Sequence, residues 1–181
     1  YVDLPHHVKG THMSRFVEIL HSMDFQISLK SMSSILEQMK SHLGAASAHI
    51  ELAFPYFIEK NAPISDAPGL MDYDCRLIGS SDENNRLDLV SEVRIPITSV
   101  CPCSKEISLE GAHNQRGIVT LGLRFKKLIW IEDMVELVEQ AASSEVYSVI
   151  KRADEKFVTE AGYANPKFVE DVVRDIALQL E

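Results

Sequence analysis

In the stretch "CPCSKEISLEGAHNQRG", residues 101 to 117, a single proline separates Cys101 from Cys103, and His113 follows ten residues later. A thiolate and an imidazole together suit Zn²⁺ or another divalent transition metal. Gly111 gives the intervening loop room to bend. A closed structural zinc site normally shows four ligands in two closely spaced pairs. Cys75 lies far upstream and beyond a turn, so a closed site is hard to assemble here. An open site with three protein ligands and one water suits the spacing better, with the third ligand drawn from elsewhere in the chain. In that arrangement one cysteine can be a ligand while the other faces the pocket. The competing reading is structural, in which a cysteine serves as a small apolar filler and a lone histidine only hydrogen-bonds.

Carboxylates that could complete such a shell are Asp154, Glu155, Glu160, Glu170 and Asp171, although acids on helices usually form a solvated face. Lys9, His12, Arg15, Lys105, Arg116, Lys151 and Arg152 could grip phosphates, and those near the Cys/His loop carry that reading furthest. With 27 acidic against 18 basic residues and a formal charge of −9, general affinity for nucleic-acid backbone is not expected. A small anionic ligand needs only a local basic cluster and remains compatible.

The elements that must position these groups follow from periodicity. Apolar residues at Phe16, Val17, Ile19 and Leu20, then at Leu29, Met32, Ile35, Leu36, Met39 and Leu43, predict helices over 14–23 and 28–43. Ser14 and Ser28 suit N-caps and Gly44 a C-cap. Strands are expected at 47–59 and 69–79, and again in "RLDLVSEVRIPIT", where a break in phase near Ser91 suggests a bulge. The Cys/His motif then falls on a loop. Beyond it come a strand "IVTLGLRF", a helix "IEDMVELVEQAA", and a helical stretch from Ala153 broken near Asn165-Pro166. This is an α+β pattern in which the architecture repeats as two tandem modules, 1–82 and 83–181. The first lacks its opening strand and the second its closing strands, so the chain is expected to continue at both ends.

At 181 residues and 45% hydrophobic composition, the chain can bury one sizeable core or two small units. No apolar run approaches the roughly 20 residues that span a bilayer, and no signal-peptide pattern opens the chain, so a cytoplasmic location is expected. Three cysteines do not make a disulfide framework.

"KGTHMSRF", "CPCSKEIS", "GAHNQRG", "KRADEKFVTE" and "NPKFVEDVVRD", in this order and spacing, resemble the type IB GTP cyclohydrolases over nearly the whole chain. The resemblance implies a tunnelling fold, or T-fold: antiparallel sheets with paired helices, two modules per subunit, and a homotetramer with active sites at subunit interfaces. It implies conversion of GTP and water to formate and 7,8-dihydroneopterin triphosphate, the entry step to folate. By position, Cys101, His113 and Glu155 match the family's ligands for one divalent transition metal, with zinc, manganese and iron equally suited. Glu170 matches the glutamate that holds the purine edge. Cys103 and His12 are the proton-transfer candidates near the pocket, and Lys9, Arg15, Lys105, Arg116 and Lys151 the candidates for the triphosphate. A family segment contributing another Glu and one or two His would follow Glu181. Two alternatives share the fold or the ligands: a nitrile reductase acting on 7-cyano-7-deazaguanine through a cysteine nucleophile, and a metal-binding interaction protein without catalysis.

Overall fold

The computed structural model describes residues 2–3, 14, 17–18, 21, 29–125 and 129–181. Five strands, β1 (Val2–Asp3), β2 (Ser47–Asn61), β3 (Pro68–Ser81), β4 (Leu87–Val100) and β5 (Asn114–Arg124), form one sheet in sequence order. The described helices are α1 (Leu29–Leu43), α2 (Pro102–Ile107), α3 (Ile131–Ala141), α4 (Arg152–Ala164) and α5 (Val169–Gln179). The class is α+β with an antiparallel sheet, compatible with the expected tunnelling fold. Contacts divide the chain into two compact units. One comprises Tyr1–Ala53, Arg76–Glu92 and Gly122–Ile129, the other Phe54–Cys75, Val93–Leu121 and Trp130–Glu181. No helix among the described residues is long and apolar enough to cross a membrane.

In the first unit, α1 presents Met32, Ile35, Leu36, Met39 and Leu43 as one buried stripe, as the three-and-four spacing requires. Gly44 ends the helix at φ +61, with its N–H donating to Ser41 O and that of Ala45 to Lys40 O, the paired bonds of a Schellman motif. Gly79 makes room for the stripe, because a Cβ there would meet Met32 Cε at 2.8 Å and Leu36 Cδ1 at 3.3 Å. The turn from β3 to β4 is held by Asp82, whose Oδ1 accepts the Asn84 and Arg86 N–H groups, while Asn85 takes a positive φ of 58°. Of the helix expected over 14–23, Ser14, Val17, Glu18 and His21 are helical; its other positions, and Ser28, lie outside the described residues.

Along β4 the expected bulge is absent. Leu89, Ser91, Val93, Ile95 and Ile97 are buried at every second position, so Ser91 keeps the phase and is merely a polar residue in an inward slot.

In the second unit, Tyr73, Val93, Ile95, Met134 and Val138 are 1% exposed or less. Amphipathic α3 packs on α5 through a face that buries Met134, Val135, Val138 and Ala141 on one side and Val172 and Ile176 on the other. Lys60 on β2 reaches Glu139 of α3 and Glu145, each at 2.7 Å, beneath the Tyr147 ring. Burial pushes the Glu139 carboxyl up while the Lys60 ammonium opposes that shift. Such a pair adds little net stability, yet removing one partner strands the other charge in the interior.

Candidate active site

The end of β4 is clamped before it delivers Cys101. Ser143 N–H donates to Thr98 O at 3.1 Å, and the buried Ser143 Oγ accepts the Val100 N–H at 3.1 Å. Lys167 N–H donates to Val100 O at 3.0 Å, and Ser99 Oγ–H to Lys167 O at 2.9 Å. Lys167 is itself held, its Nζ bonding Ala141 O and Asp175. Backbone groups on both sides of this strand end therefore have fixed partners.

Cys101 then caps a short helix rather than entering a loop. Its extended backbone precedes Pro102 at the first helical position, where the missing N–H and preset φ favour initiation. The Lys105 N–H closes the first helical bond on Cys101 O at 3.1 Å. Half-buried Cys101 thus terminates a strand, while exposed Cys103 sits on α2. Pro102, opening the helix between them, puts the two cysteines on different elements.

His113 returns to the same point. Its carbonyl accepts the Cys101 N–H at 2.8 Å and its N–H donates to Ser104 Oγ at 2.5 Å. Gly111, at φ +78, allows the reversal between them. Among the described residues, neither the Cys101 thiol nor the His113 ring is engaged in a hydrogen bond or ion pair. The donor chemistry of this pair fits a divalent transition metal.

The third proposed donor is not gathered with them. Glu155 is exposed on the first turn of α4, whereas Val158, Thr159, Gly162 and Tyr163, farther along that helix, line the same cavity as Val100, Ala112 and Asn114. At about 1.5 Å rise per residue, Glu155 lies over 10 Å along the axis from Gly162. Among the described residues no three His, Cys, Asp or Glu side chains form a metal-holding group. The cavity measures about 630 Å³, and Gly162 keeps it close to β4, since a Cβ there would stand 3.3 Å from Val100 Cγ2.

The remaining candidates are scattered. Lys105 is tethered to the end of α4, its Nζ donating to Tyr163 O at 2.5 Å and lying 4.4 Å from the ring centroid. Arg116 on β5 and Lys151 at the N-cap of α4 are exposed and have no ion-pair partner among the described residues. Glu170 lines a groove of about 320 Å³ with Val169, Val173, Arg174 and Ala177. Lys9, His12 and Arg15 lie outside the described residues.

Asp154 departs most from expectation. Instead of joining a solvated face it is 0% exposed. Its carboxylate accepts four hydrogen bonds, from Ile64 N–H, Ser65 N–H, Ser65 Oγ–H and Lys151 N–H. Burial opposes its ionisation, but the Ser65 hydroxyl and these N–H groups hold the carboxyl well below the usual carboxylate range. The sequence signal was the Lys151-to-Asp154 spacing of a helix start, which marks a cap but says nothing of the distant Ile64 and Ser65. Ser104 and Ser143, which position His113 and β4, carried no signal of their own.

Comparison with known proteins gives this geometry its context. The family model for type I GTP cyclohydrolase folE2 matches residues 1–181. A GTP cyclohydrolase FolE2 from Desulfosudis oleivorans is 66% identical over 181 residues, spanning 100% of this chain and 70% of its own length. The proteins of the same name from Syntrophobacter fumaroxidans and Syntrophus aciditrophicus are 61% and 58% identical, over 100% and 99% of this chain and 70% of their own lengths. Matched from end to end by the family model and by relatives of this identity, the chain belongs to the type I GTP cyclohydrolase folE2 family.

Proposed function

We propose that this chain hydrolyses GTP to 7,8-dihydroneopterin triphosphate and formate, the first step of folate biosynthesis. By family it is a GTP cyclohydrolase I. The observation that carries the reading on this chain's own residues is the pairing of Cys101 with His113 through a 2.8 Å backbone bond, beside a cavity of about 630 Å³. A cavity of that size is ample for a small molecule. Neither the nitrile reductase nor the inactive binder is favoured, since the relatives reported above carry the name GTP cyclohydrolase FolE2.

In this reading Cys101 and His113 hold one divalent transition metal, zinc, manganese or iron, with Glu155 as the carboxylate donor. Bound there, the metal supplies Lewis acidity that activates water for hydrolysis of the guanine imidazole ring. Glu170 accepts two hydrogen bonds from the guanine N1–H and 2-amino group, a pairing that discriminates once water is excluded. Arg116 and Lys151, with Lys105, Lys9 and Arg15, neutralise the triphosphate, and Cys103 and His12 move protons to and from the opening ring.

As the family resemblance implies, the site is completed in a homotetramer of tandem T-fold modules, 1–82 and 83–181, with active sites at subunit interfaces. Fully exposed Leu109 and 84%-exposed Ile107, between Cys101 and His113, support such a contact. The enzyme is placed in the cytoplasm.

The test uses metal-stripped, full-length protein with each metal restored in turn, following formate release and pterin fluorescence. Both products should appear with at least one metal. If neither appears with any metal, the reading is wrong.

A further inference from the structure

We propose that Lys60 is a positioning residue for the substrate cavity, its ammonium tying together the two ends of residues 139–145 so that this segment holds the end of β4 in place. The inference rests on the reading of the cavity of about 630 Å³ as the place where GTP binds.

Lys60 reaches from β2 to two carboxylates on either side of one reversal of the chain. Its Nζ lies 2.7 Å from Glu139, in the last turn of α3, and 2.7 Å from Glu145, just beyond that helix. The lysine side chain is 14% and that of Glu139 8% exposed, while Glu145 reaches partly into solvent. Nζ approaches both acids too obliquely for a regular hydrogen bond, so charge is what joins the three groups. Tyr73 Oη–H donates to Glu139 at 3.4 Å, Tyr147 Oη–H to Glu145 at 2.9 Å, and the Tyr147 ring centroid lies 4.4 Å from the ammonium. Without the cation, two carboxylates would face the space it leaves, each held only by a phenol.

Between the glutamates stand Gln140, Ala141, Ala142, Ser143 and Ser144. Ala141, Ala142 and Ser143 are buried, but methyl groups offer little apolar surface to hold a reversal. Polar links fix it instead: Lys60 at both ends, and Asn165 Nδ2 donating to Ala142 O at 2.9 Å. From this segment hydrogen bonds run to β4. Thr98 N–H donates to Ser144 O at 3.1 Å, and Thr98 O accepts Ser143 N–H at 3.1 Å and Ser144 N–H at 3.3 Å. Ser143 Oγ accepts the Val100 N–H at 3.1 Å. Thr98 and Val100 both line the cavity. One wall of the cavity is thus set by a segment whose two ends are held by one ammonium.

Lys60→Met keeps the length of the side chain and removes its charge. Lys60→Arg keeps the charge, in a guanidinium that can bridge two carboxylates and stack on the Tyr147 ring. Both are made in the full-length holoenzyme and compared with Ser143→Ala by amide exchange and GTP kinetics. Lys60→Met should speed exchange of the Thr98, Val100 and Ser144 amides about tenfold or more. It should also lower kcat/KM for GTP about 10–100-fold, the range that a small misplacement of a substrate-positioning group produces. Lys60→Arg should recover most of both losses. Adding Ser143→Ala to Lys60→Met should cost less than the product of the single effects, because both act through one segment.

A lysine that only stabilised the fold would lower Tm and leave kcat/KM unchanged. Wild-type exchange of the three amides in Lys60→Met, or Lys60→Arg as impaired as Lys60→Met, overturns the positioning role; a loss of kcat/KM in Ser143→Ala would then still support the cavity. Faster exchange with wild-type kcat/KM in both Lys60→Met and Ser143→Ala instead removes the cavity from GTP binding, and the inference with it. Should Lys60→Met fail to fold, Glu145→Gln, which releases one end of the segment and leaves the Lys60–Glu139 pair, carries the same test.

Discussion

Replacing Ser143 with Ala should destabilise the protein by about 1–3 kcal/mol, the cost of stranding a buried hydrogen-bonding group. Ser143 is 4% exposed and Val100, whose N–H its Oγ accepts at 3.1 Å, is 6% exposed. Alanine fills nearly the same volume, so no appreciable cavity term is added. The Ser143 backbone bond to Thr98 O survives, which isolates the change to one acceptor. At about 2 kcal/mol, a chain of this size should lose roughly 4–8 °C in Tm. Urea unfolding at fixed protein concentration measures the stability, and amide exchange reports whether the Val100 N–H has lost its protection. Because Val100 precedes Cys101, metal affinity should fall in the same variant while Cys103 labelling is unchanged. A stability change below about 0.3 kcal/mol with an equally protected Val100 amide would refute the claim that this hydroxyl clamps the strand end, since surface-like substitutions fall in that range.

Three further outcomes are expected. Leu36→Ala, at a 0%-exposed position of the α1 stripe, should cost about 2–5 kcal/mol in chemical denaturation. Exposed Cys103 should react with a thiol reagent at pH 8 while buried Cys75 does not, because burial first, and then Asp74 and Glu132, push the Cys75 thiol up to about 11. That folded-state value lies above the ordinary thiol value of 9.0, so the stability linked to it is complete below pH 9 and declines as pH rises toward 11. Cys75→Ala should make that decline in Tm shallower. Glu170→Ala should raise the KM for GTP about tenfold or more, by loss of a charge-assisted pair of about 1.5–3 kcal/mol, with metal content by elemental analysis unchanged; a KM within twofold of wild type would remove Glu170 from the guanine edge.

Much of the secondary structure was legible because it is written in local periodicity. The α1 stripe, the Gly44 stop, the alternating strands and the break at Asn165-Pro166 all appear where spacing predicts them. Ser91 misled because a polar residue in an inward slot looks like a phase slip, and only the unbroken alternation of burial along the strand reveals that the slot is unchanged. The motif region misled in the other direction: a six-residue helix is too short to show a period, so Pro102 at its first position was the one available cue.

The sequence by itself determined the family, since the identity and order of its residues are properties of the chain alone. It could not decide which carboxylates face inward. Asp154 and Glu155 are adjacent acids with the same helical preference, yet one is buried under four hydrogen bonds and the other is exposed. That difference is made by Ile64 and Ser65, whose separations from Asp154 of 90 and 89 residues no local pattern spans. Tertiary structure likewise brought His113 back to Cys101 while leaving Glu155 near the other end of α4, because a backbone hydrogen bond acts at 2.8 Å but a helix holds its own ends rigidly apart.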